Sequence, residues 1–346
     1  MHLEKESLKQ KGRKLLEELL SVYTPSGSED KALKVFEWIE KEFNLKLNVT
    51  KSNSYFLGRG EILLASHIDT VQGFIEPSVS GETISGRGAV DAKGPLTSMI
   101  LAGWILNDLG CGVEIAALSD EENMSKGAKE LLSSSRRFSH IVIGEPTNTT
   151  HIAIEYRGLM RLSIKCKGNP EHSSSSHDNV ILKRIPSIMK VSQLHSEYSL
   201  PTIVPTILRS GSSANVTPED LYVHFDIRFP YEVSYNDILS KFKEEFDECD
   251  IEIGELIHPV KVSPSTPLVR SLMRGLIRQG MKPSLVKKSG TSDMNILASI
   301  TPSIATYGPG DSRLEHTEFE RITLDEIYIA TMTYVNSLEE LCSKNS

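Results

Sequence analysis

Side chains that commonly bind metal ions follow one of the predicted strands. His67 and Asp69 end the apolar run at residues 62–65, and their i, i+2 spacing places both side chains on one face of an extended chain. A carboxylate in this position can hold the second ring nitrogen of a metal-binding histidine. Asp91 lies in a glycine-rich loop that allows a close approach to His67. Taken alone, the His67–Asp69 pair is more often a surface histidine and a turn aspartate.

Two further predicted strands are followed by acidic residues. The apolar run at residues 113–118 precedes Glu121 and Glu122, and the run at residues 141–143 precedes Glu145. In open α/β sheets, ligands bind at the carboxyl ends of the strands. A single acidic loop residue is usually solvated. Ligand-type residues after three strands of one α/β segment are difficult to explain in that way.

A second candidate histidine, His316, comes late in the chain. Together with the early histidine and the carboxylates, it supplies the nitrogen and oxygen ligands that a two-metal hydrolytic site needs. Such ligands suit zinc, cobalt or manganese rather than copper(I) or an iron–sulfur cluster. A nucleophilic serine is the alternative, since Ser66 also ends a strand, but no GxSxG elbow surrounds it.

The pattern of predicted elements changes near residue 152. Before that point, strands alternate with amphipathic helices, as in an α/β fold. The chain then follows the order β-α-β-β-α-β of a ferredoxin-like unit, and the first pattern returns after residue 264. We therefore predict a mixed-sheet α/β catalytic domain at residues 1–150 and 263–346, with an α+β domain inserted at residues 151–262.

The composition is that of an ordinary globular protein. The 346 residues are 39% hydrophobic, enough for a large core and two domains. The formal net charge of −8 argues against binding to nucleic acid or to anionic membranes. The four cysteines are scattered without a CxxC pair, so the sequence suggests neither a disulfide framework nor a thiolate zinc site. Without a signal-like or membrane-spanning apolar run, we expect a cytoplasmic protein.

Six ordered motifs extend over nearly the whole chain. They are Ser66-His67-Ile68-Asp69-Thr70-Val71, Gly86-Arg87-Gly88-Ala89-Val90-Asp91-Ala92-Lys93-Gly94, Asp120-Glu121-Glu122, Gly144-Glu145-Pro146-Thr147, Gly290-Thr291-Ser292-Asp293 and His316-Thr317-x-x-Glu320. In this order they resemble the M20 metallohydrolase family, which includes aminoacylase-1 and carboxypeptidases. The resemblance implies hydrolysis of an amide bond, two divalent metal ions (zinc or cobalt), and a homodimer formed through the inserted domain.

The resemblance also implies which residues bind the metals. Asp91 would bridge the two ions. His67 and Glu145 would complete one site, and Glu122 and His316 would complete the other. The peptide bond after the bridging aspartate is often cis in this family, so we expect a cis bond there.

Other residues receive roles from the same resemblance. Glu121 would be the general base, and Asp69 would orient the first histidine. His172 in the inserted domain would stabilise the oxyanion, usually in the site of the neighbouring subunit. Asn215 and Arg228 would hold a substrate carboxylate, which the planar fork of arginine suits. An exposed loop histidine and a structural salt bridge are the competing interpretations of His172 and Arg228.

The substrate is suggested by two further stretches. The form Asp91-Ala92-Lys93-Gly94-Pro95-Leu96, with the later Glu155-Tyr156-Arg157-Gly158, resembles the M20 enzymes of lysine and arginine biosynthesis. Those enzymes release lysine or ornithine from the C-terminal glutamate of a small acidic carrier protein. The alternatives are an acetylornithine or succinyl-diaminopimelate deacylase, a broad dipeptidase, and a binding protein that has lost catalysis.

A row of basic residues, considered without the resemblance, also suggests an acidic partner. Arg270, Arg274, Arg278 and Lys282 recur every four residues, which predicts a basic stripe on one helix face. No acidic residue interrupts residues 270–288, and such a face can steer an acidic protein. A solvated helix surface explains the row equally well.

Overall fold

The computed structural model describes residues 4–342, so the ends of the predicted catalytic domain, residues 1–3 and 343–346, lie outside the described residues. The chain divides into two compact units. The first contains the residues up to Ile154, Val262–Val286 and the residues from Ser292 onward; the second contains Glu155–Lys261 and Lys287–Thr291. Within residues 4–342, no helix has the length and apolar character needed to cross a membrane.

The helices fall in both units. In chain order they are α1 (Lys5–Leu20), α2 (Leu33–Phe43), α3 (Lys93–Asp108), α4 (Lys126–Ser133), α5 (Val180–Val191), α6 (Tyr235–Glu245), α7 (Pro267–Arg278), α8 (Asp293–Leu297) and α9 (Leu324–Cys342). In the first unit α3 is buried almost all round and packs against α1 and α9, and α7 also packs against α9. This is the environment that an almost uninterrupted apolar helix requires.

Within residues 4–342, the strands form three sheets. In chain order they are β1 (Leu47–Val49), β2 (Tyr55–Gly58), β3 (Ile62–His67), β4 (Ser78–Ser80), β5 (Thr83–Ser85), β6 (Val113–Leu118), β7 (His140–Ile143), β8 (His151–Tyr156), β9 (Gly158–Lys167), β10 (Thr202–Ser210), β11 (Asp220–Phe229), β12 (Asp250–Ile257), β13 (Val260–Lys261), β14 (Ser284–Lys288), β15 (Ile304–Thr306) and β16 (Arg321–Thr323). The alternation of strands and helices confirms the predicted mixed α/β fold.

The largest sheet has the strand order β1-β2-β6-β3-β7-β15-β8-β13, and β14 also pairs with β8. Its central strands β6, β3, β7 and β15 run parallel to one another, whereas β2 and β8 are antiparallel to their neighbours. Strands β3 and β6 are buried along their whole length, as apolar runs in a covered parallel sheet require. The carboxyl ends of β3, β6 and β7 therefore lie at one edge.

A small antiparallel sheet in the first unit joins two distant parts of the chain. Its order is β16-β5-β4, with Arg321 opposite Ser85. The loop that follows β5 carries Asp91, and the loop that precedes β16 carries His316. This pairing therefore holds together two loops that are more than two hundred residues apart in sequence.

The second unit follows the order β9-α5-β10-β11-α6-β12 that the sequence predicts. Its antiparallel sheet has the order β10-β11-β9-β12. Buried residues alternate with more exposed ones along β11, so one face of the sheet contributes to a core that includes Phe225, Phe242 and Phe246. The order of elements and strands is that of a ferredoxin-like unit.

The expectation that the cysteines form no disulfide framework is wrong. Cys166 and Cys249 form a disulfide in the second unit, with a Cα–Cα distance of 4.5 Å, and Cys111 and Cys342 form one in the first, with 5.7 Å. The partners are 83 and 231 residues apart, a separation that gives no sequence signal. The pairing of β9 with β12, in which Asp250 lies opposite Lys165, brings Cys166 and Cys249 close to each other.

Candidate metal centre

His67 ends β3 with its ring buried. Its Nδ1 lies 2.8 Å from the main-chain oxygen of Asp69 and 3.5 Å from Oδ1 of the same residue. A carbonyl oxygen can only accept, so Nδ1 carries the proton of the neutral ring and Nε2 is available as a ligand atom. Asp69 thus contacts the ring through its carboxylate and its main-chain oxygen, and the main-chain oxygen makes the shorter contact.

Asp91 lies between the two histidines. Its Oδ1 is 3.1 Å from Nε2 of His67, and its Oδ2 is 3.0 Å from Nε2 of His316. The Asp91–Ala92 peptide bond is cis, as the resemblance implied. One carboxylate thus presents a separate oxygen to each imidazole, the arrangement expected of a ligand shared by two ions.

The remaining candidate ligands lie on either side of Asp91. Oε1 of Glu122 is 3.0 Å from Nε2 of His316, and Oε2 of Glu145 is 3.8 Å from Nε2 of His67. Potential ligand atoms of His67, Asp91 and Glu122 all lie within 4.8 Å of one another. The structure therefore brings together all five residues that the resemblance assigned to metal binding.

The negative charges of the acidic side chains at this edge of the sheet are poorly balanced by positive charges. Burial, and then the negative charge of Glu145, raise the pKa of Glu121 well above its usual value. Burial likewise raises the pKa of Glu145 well above its usual value, although His67 acts in the opposite direction. Divalent cations would supply the missing positive charge, and nitrogen and oxygen donors suit such ions. The residues present therefore fit a metal centre.

His316 differs from the buried histidine because its ring is half-exposed. Hydrogen bonds with Asp91 and then with Glu122 raise its pKa to about 10. Its backbone has a φ of 62°, and Asp120, just before the acidic pair, has a φ of 63°. Both values lie in the left-handed region, which is strained for residues other than glycine and is found frequently at functional sites.

Asp69 has a second function that the sequence did not reveal. Its Oδ1 accepts a hydrogen bond from the main-chain N–H of Glu121 at 3.0 Å, and its Oδ2 accepts one from that of Glu122 at 3.1 Å. The hydroxyl of Ser26 donates to Oδ2 at 2.7 Å. This carboxylate therefore fixes the loop after β6 as well as the first histidine.

Asp293 is a further buried acidic residue of the first unit. Its Oδ1 has no hydrogen-bond partner among residues 4–342, and burial raises its pKa to about 7. Its negative charge also contributes to the raised pKa values of Glu121 and Glu145. Asp293 belongs to a motif recognised in the sequence, but no role was assigned to it.

Ser66 does not have the environment of a nucleophile. Its side chain is buried, and its hydroxyl donates to the main-chain oxygen of Gly144 at 2.7 Å. The weaker contact of the hydroxyl, at 3.3 Å, is also to a main-chain oxygen, that of Ala92. The serine alternative is therefore not supported.

The other candidate residues belong to the second unit. His172 lies in an exposed loop, where its Nδ1 is 2.8 Å from Oγ of Ser174. The main-chain N–H of Ser173 donates to the main-chain oxygen of Asn215 at 3.0 Å, so His172 and Asn215 lie on neighbouring loops. Both are exposed.

Arg228 lies on β11 and binds its neighbour on the same face. Its Nε and Nη2 donate to the two carboxylate oxygens of Asp226 at 2.8 and 3.3 Å. The structural salt bridge that the sequence left open is therefore present. Nη1 of Arg228 makes only a longer contact, 3.4 Å, with Oγ1 of Thr291.

The fold and the site define a class of protein: an α/β protein with a cluster of histidines and carboxylates at the carboxyl edge of a mixed sheet. Residues 63–340 match the model of peptidase family M20/M25/M40. The chain belongs to this family and is a hydrolase.

Relatives of high identity extend over the full length. The chain is 54% identical to the LysW-lysine/LysW-ornithine hydrolase of Sulfurisphaera tokodaii over 344 residues, which are 99% of each chain. A protein of the same name from Saccharolobus islandicus strain M.16.4 is 54% identical over 346 residues, 100% of each chain.

Solved structures share the fold at low sequence identity. Aminopeptidase PepT from Bacillus cereus has a TM-score of 0.84 at 18% identity, covering 96% of this chain and 98% of that one. The Bacillus subtilis YXEP protein, described as a dinuclear metal binding peptidase of the M20 family, has a TM-score of 0.77 at 12% identity, covering 98% and 99%. These similarities support the α/β fold alone.

Proposed function

We propose that this protein hydrolyses the amide bond that joins lysine or ornithine to a small acidic carrier protein. The observation that carries the proposal is the shared carboxylate of Asp91, whose two oxygens face His67 and His316 separately. The full-length relatives with 54% identity, which are named for this activity, support the choice of substrate. No feature of the site favours a deacylase or a dipeptidase.

The proposed metal ligands follow from the contacts. Asp91 would be shared, His67 and Glu145 would hold one ion, and Glu122 and His316 the other. We propose zinc or cobalt because both accept imidazole and carboxylate ligands. When bound, two such ions lower the pKa of water and polarise a carbonyl group.

Glu121 is the proposed general base. It takes a proton from the attacking water and later passes this proton to the nitrogen of the departing lysine or ornithine. A carboxylate with an ordinary pKa gives up a proton readily but holds one poorly. The raised pKa of Glu121 suits both halves of this transfer.

The second unit supplies the proposed contacts to the substrate. His172 would donate to the oxyanion, and Asn215 and Arg228 would bind the free α-carboxylate of the released amino acid. The ion pair with Asp226 is compatible with this role, since it uses Nε and Nη2 and holds the guanidinium in a fixed orientation. Nη1 remains able to donate to a substrate carboxylate.

We propose that the inserted domain predicted at residues 151–262 forms a homodimer. Its helix α5 and the following segment expose Leu182, Met189 and Leu194 at 72%, 72% and 76%. Exposed apolar patches of this kind mark interaction surfaces, and the neighbouring β10 is an edge strand that can pair further. A second copy would cover this face and allow His172 to act in the neighbouring site.

The predicted basic stripe needs correction. Helix α7 ends at Arg278, and Gly280 with a φ of 74° breaks the pattern, so Lys282 is not on the helix. Arg274 donates to both carboxylate oxygens of Glu340 at 2.9 and 2.7 Å. The charge of Arg274 is thus largely neutralised, and Arg270 is the exposed α7 residue best placed to attract an acidic carrier.

A release assay tests the proposed substrate. Metal-reconstituted protein would receive lysine linked through its α-amine to the C-terminal glutamate of an acidic carrier, or free N-acetyl-lysine, at low and high salt. We expect a preference for the conjugate that weakens with salt, because exposed charges are screened. Equal or faster release from N-acetyl-lysine, insensitive to salt, would overturn the carrier proposal and leave a simple deacylase.

A further inference from the structure

A buried ion pair lies beside the proposed metal centre, and the mechanism above does not use it. Glu320 is 1% exposed and Arg87 is 7% exposed, and the Nη1 of Arg87 donates to Oε1 of Glu320. Replacing such a pair by apolar residues often leaves stability unchanged or increases it. A role in stability alone therefore explains this pair poorly.

The second oxygen of Glu320 binds the loop that carries Asp91. Oε2 accepts hydrogen bonds from the main-chain N–H groups of Gly88 at 2.9 Å, Val90 at 3.3 Å and Asp91 at 3.4 Å. Three donors that converge on one oxygen determine the path of the loop backbone. They act directly on the residue whose two oxygens face the two histidines.

The guanidinium of Arg87 binds the loop that carries His316. Its Nη1 donates to the main-chain oxygen of Thr317 at 3.1 Å, and its Nε donates to that of Gly73 at 2.7 Å. Glu320 itself follows His316 by four residues. The ion pair therefore connects the two loops from which Asp91 and His316 project.

We propose that Arg87 and Glu320 are positioning residues that set the proposed metal centre before any ion binds. The inference rests on the metal centre proposed above. Neither residue is a ligand. Both act through the backbone, which holds the carboxylate of Asp91 between His67 and His316. The pair should accordingly determine metal affinity, because groups that orient ligands typically contribute 10–100-fold to it.

Glu320→Gln is a sharp test because it keeps the shape of the side chain. An amide offers one accepting oxygen and one donating NH2 group. If the amide oxygen faces Arg87, the NH2 group faces the three main-chain N–H donors, from which it cannot accept hydrogen bonds. If the amide is turned round, the NH2 group faces the guanidinium of Arg87, which also only donates. In either case the side chain loses its hydrogen bonds to Arg87 or to the loop that carries Asp91.

Arg87→Lys tests the other half without removing the positive charge. A lysine ammonium can still neutralise Glu320. It lacks the planar fork that reaches Glu320, Gly73 and Thr317 at the same time. The charge-balanced variant should fold even where Glu320→Gln does not.

Glu114→Gln provides a matched control. Glu114 belongs to the same unit, is 5% exposed and pairs with Arg136, but it lies near the start of β6, away from the carboxyl edge. Metal-free wild type and the three variants would be titrated with Zn²⁺ by calorimetry, well below the melting temperature of each. Melting of the metal-free proteins would be measured separately.

We expect Glu320→Gln to weaken Zn²⁺ binding by about 10–100-fold and Arg87→Lys by about 10-fold. Glu114→Gln should change the melting temperature without changing the affinity. Wild-type affinity in Glu320→Gln, or in Arg87→Lys where Glu320→Gln does not fold, would overturn the inference. Failure of the wild type itself to bind Zn²⁺ would instead overturn the metal centre on which the inference rests.

Discussion

At the residue scale, Glu121 and Glu122 are adjacent but have different surroundings. Asp69 accepts hydrogen bonds from both main-chain N–H groups, which fixes the backbone that carries the two side chains. Glu122 contacts His316, and its potential ligand atoms also lie within 4.8 Å of those of His67 and Asp91, whereas those of Glu121 lie within 4.8 Å of those of His67 and Glu145. Both carboxylates therefore lie near the proposed ions, and it is the resemblance that assigns Glu122 as a ligand and Glu121 as the base.

Glu121→Gln should therefore retain metal and lose turnover. The amide keeps the size of the side chain but cannot accept the proton, so we expect release of lysine to slow by about 10²–10⁴-fold. Metal content would be measured by elemental analysis and release by chromatography. Glu122→Gln is the comparison variant, and it should lose metal. A Glu121→Gln protein with a rate near that of the wild type would contradict the proposed base.

The protonation of His316 gives a pH dependence. Its pKa of about 10 in the metal-free protein means that the ring is protonated at neutral pH, and a metal ion must displace that proton. Zinc affinity should therefore rise with pH up to about pH 10, with release of at least about one proton per chain at pH 7. Calorimetry in buffers of different ionisation enthalpy measures this release. Binding without proton release would refute the assignment.

At the element scale, the parallel strands were the predictable part of the fold. Apolar runs ending in ligand-type residues indicated β3, β6 and β7, because strands buried on both faces need continuous apolar sequence. The antiparallel pair of short strands β1 and β2 that precedes them has no comparable apolar run. The polar turn between them carries no glycine or proline to reveal it.

Helix α7 supports a prediction about carrier binding. Arg270→Glu should lower kcat/KM for the carrier conjugate several-fold at low salt and much less at high salt, because long-range attraction between exposed charges is screened. Turnover of N-acetyl-lysine should not change. Lys34→Glu on α2, at another exposed basic residue of the first unit, makes the same change of sign and should have no effect. Equal effects of both variants would exclude α7 as the docking face.

At the scale of the whole molecule, contacts between residues that are distant in sequence were the part that the sequence could not predict. The motifs identified the five candidate ligands, since each lies in a recognisable local stretch. Glu320 and Ser26 received no role because their partners are distant in sequence and depend on sheet pairing. The disulfide between Cys166 and Cys249 could not be predicted for the same reason.

The proposed homodimer can be tested through its apolar face. The double variant Leu182→Glu/Met189→Glu should be monomeric in sedimentation experiments, because two buried charges would oppose association. If His172 acts in the neighbouring site, kcat should also fall by about 10²-fold, as for loss of an oxyanion donor. Ile253→Glu, on the opposite edge strand β12, is the control. A variant that remains dimeric would exclude this face.

The most direct test of the central claim, a two-metal centre built on Asp91, is a metal titration followed by activity. Metal-stripped protein would receive increasing amounts of Zn²⁺ or Co²⁺, and release of lysine from the carrier conjugate would be measured at each step. We predict no release without metal, maximal release at about two ions per chain, and none from Asp91→Asn. Full release by the metal-free protein, or by Asp91→Asn, would contradict the claim.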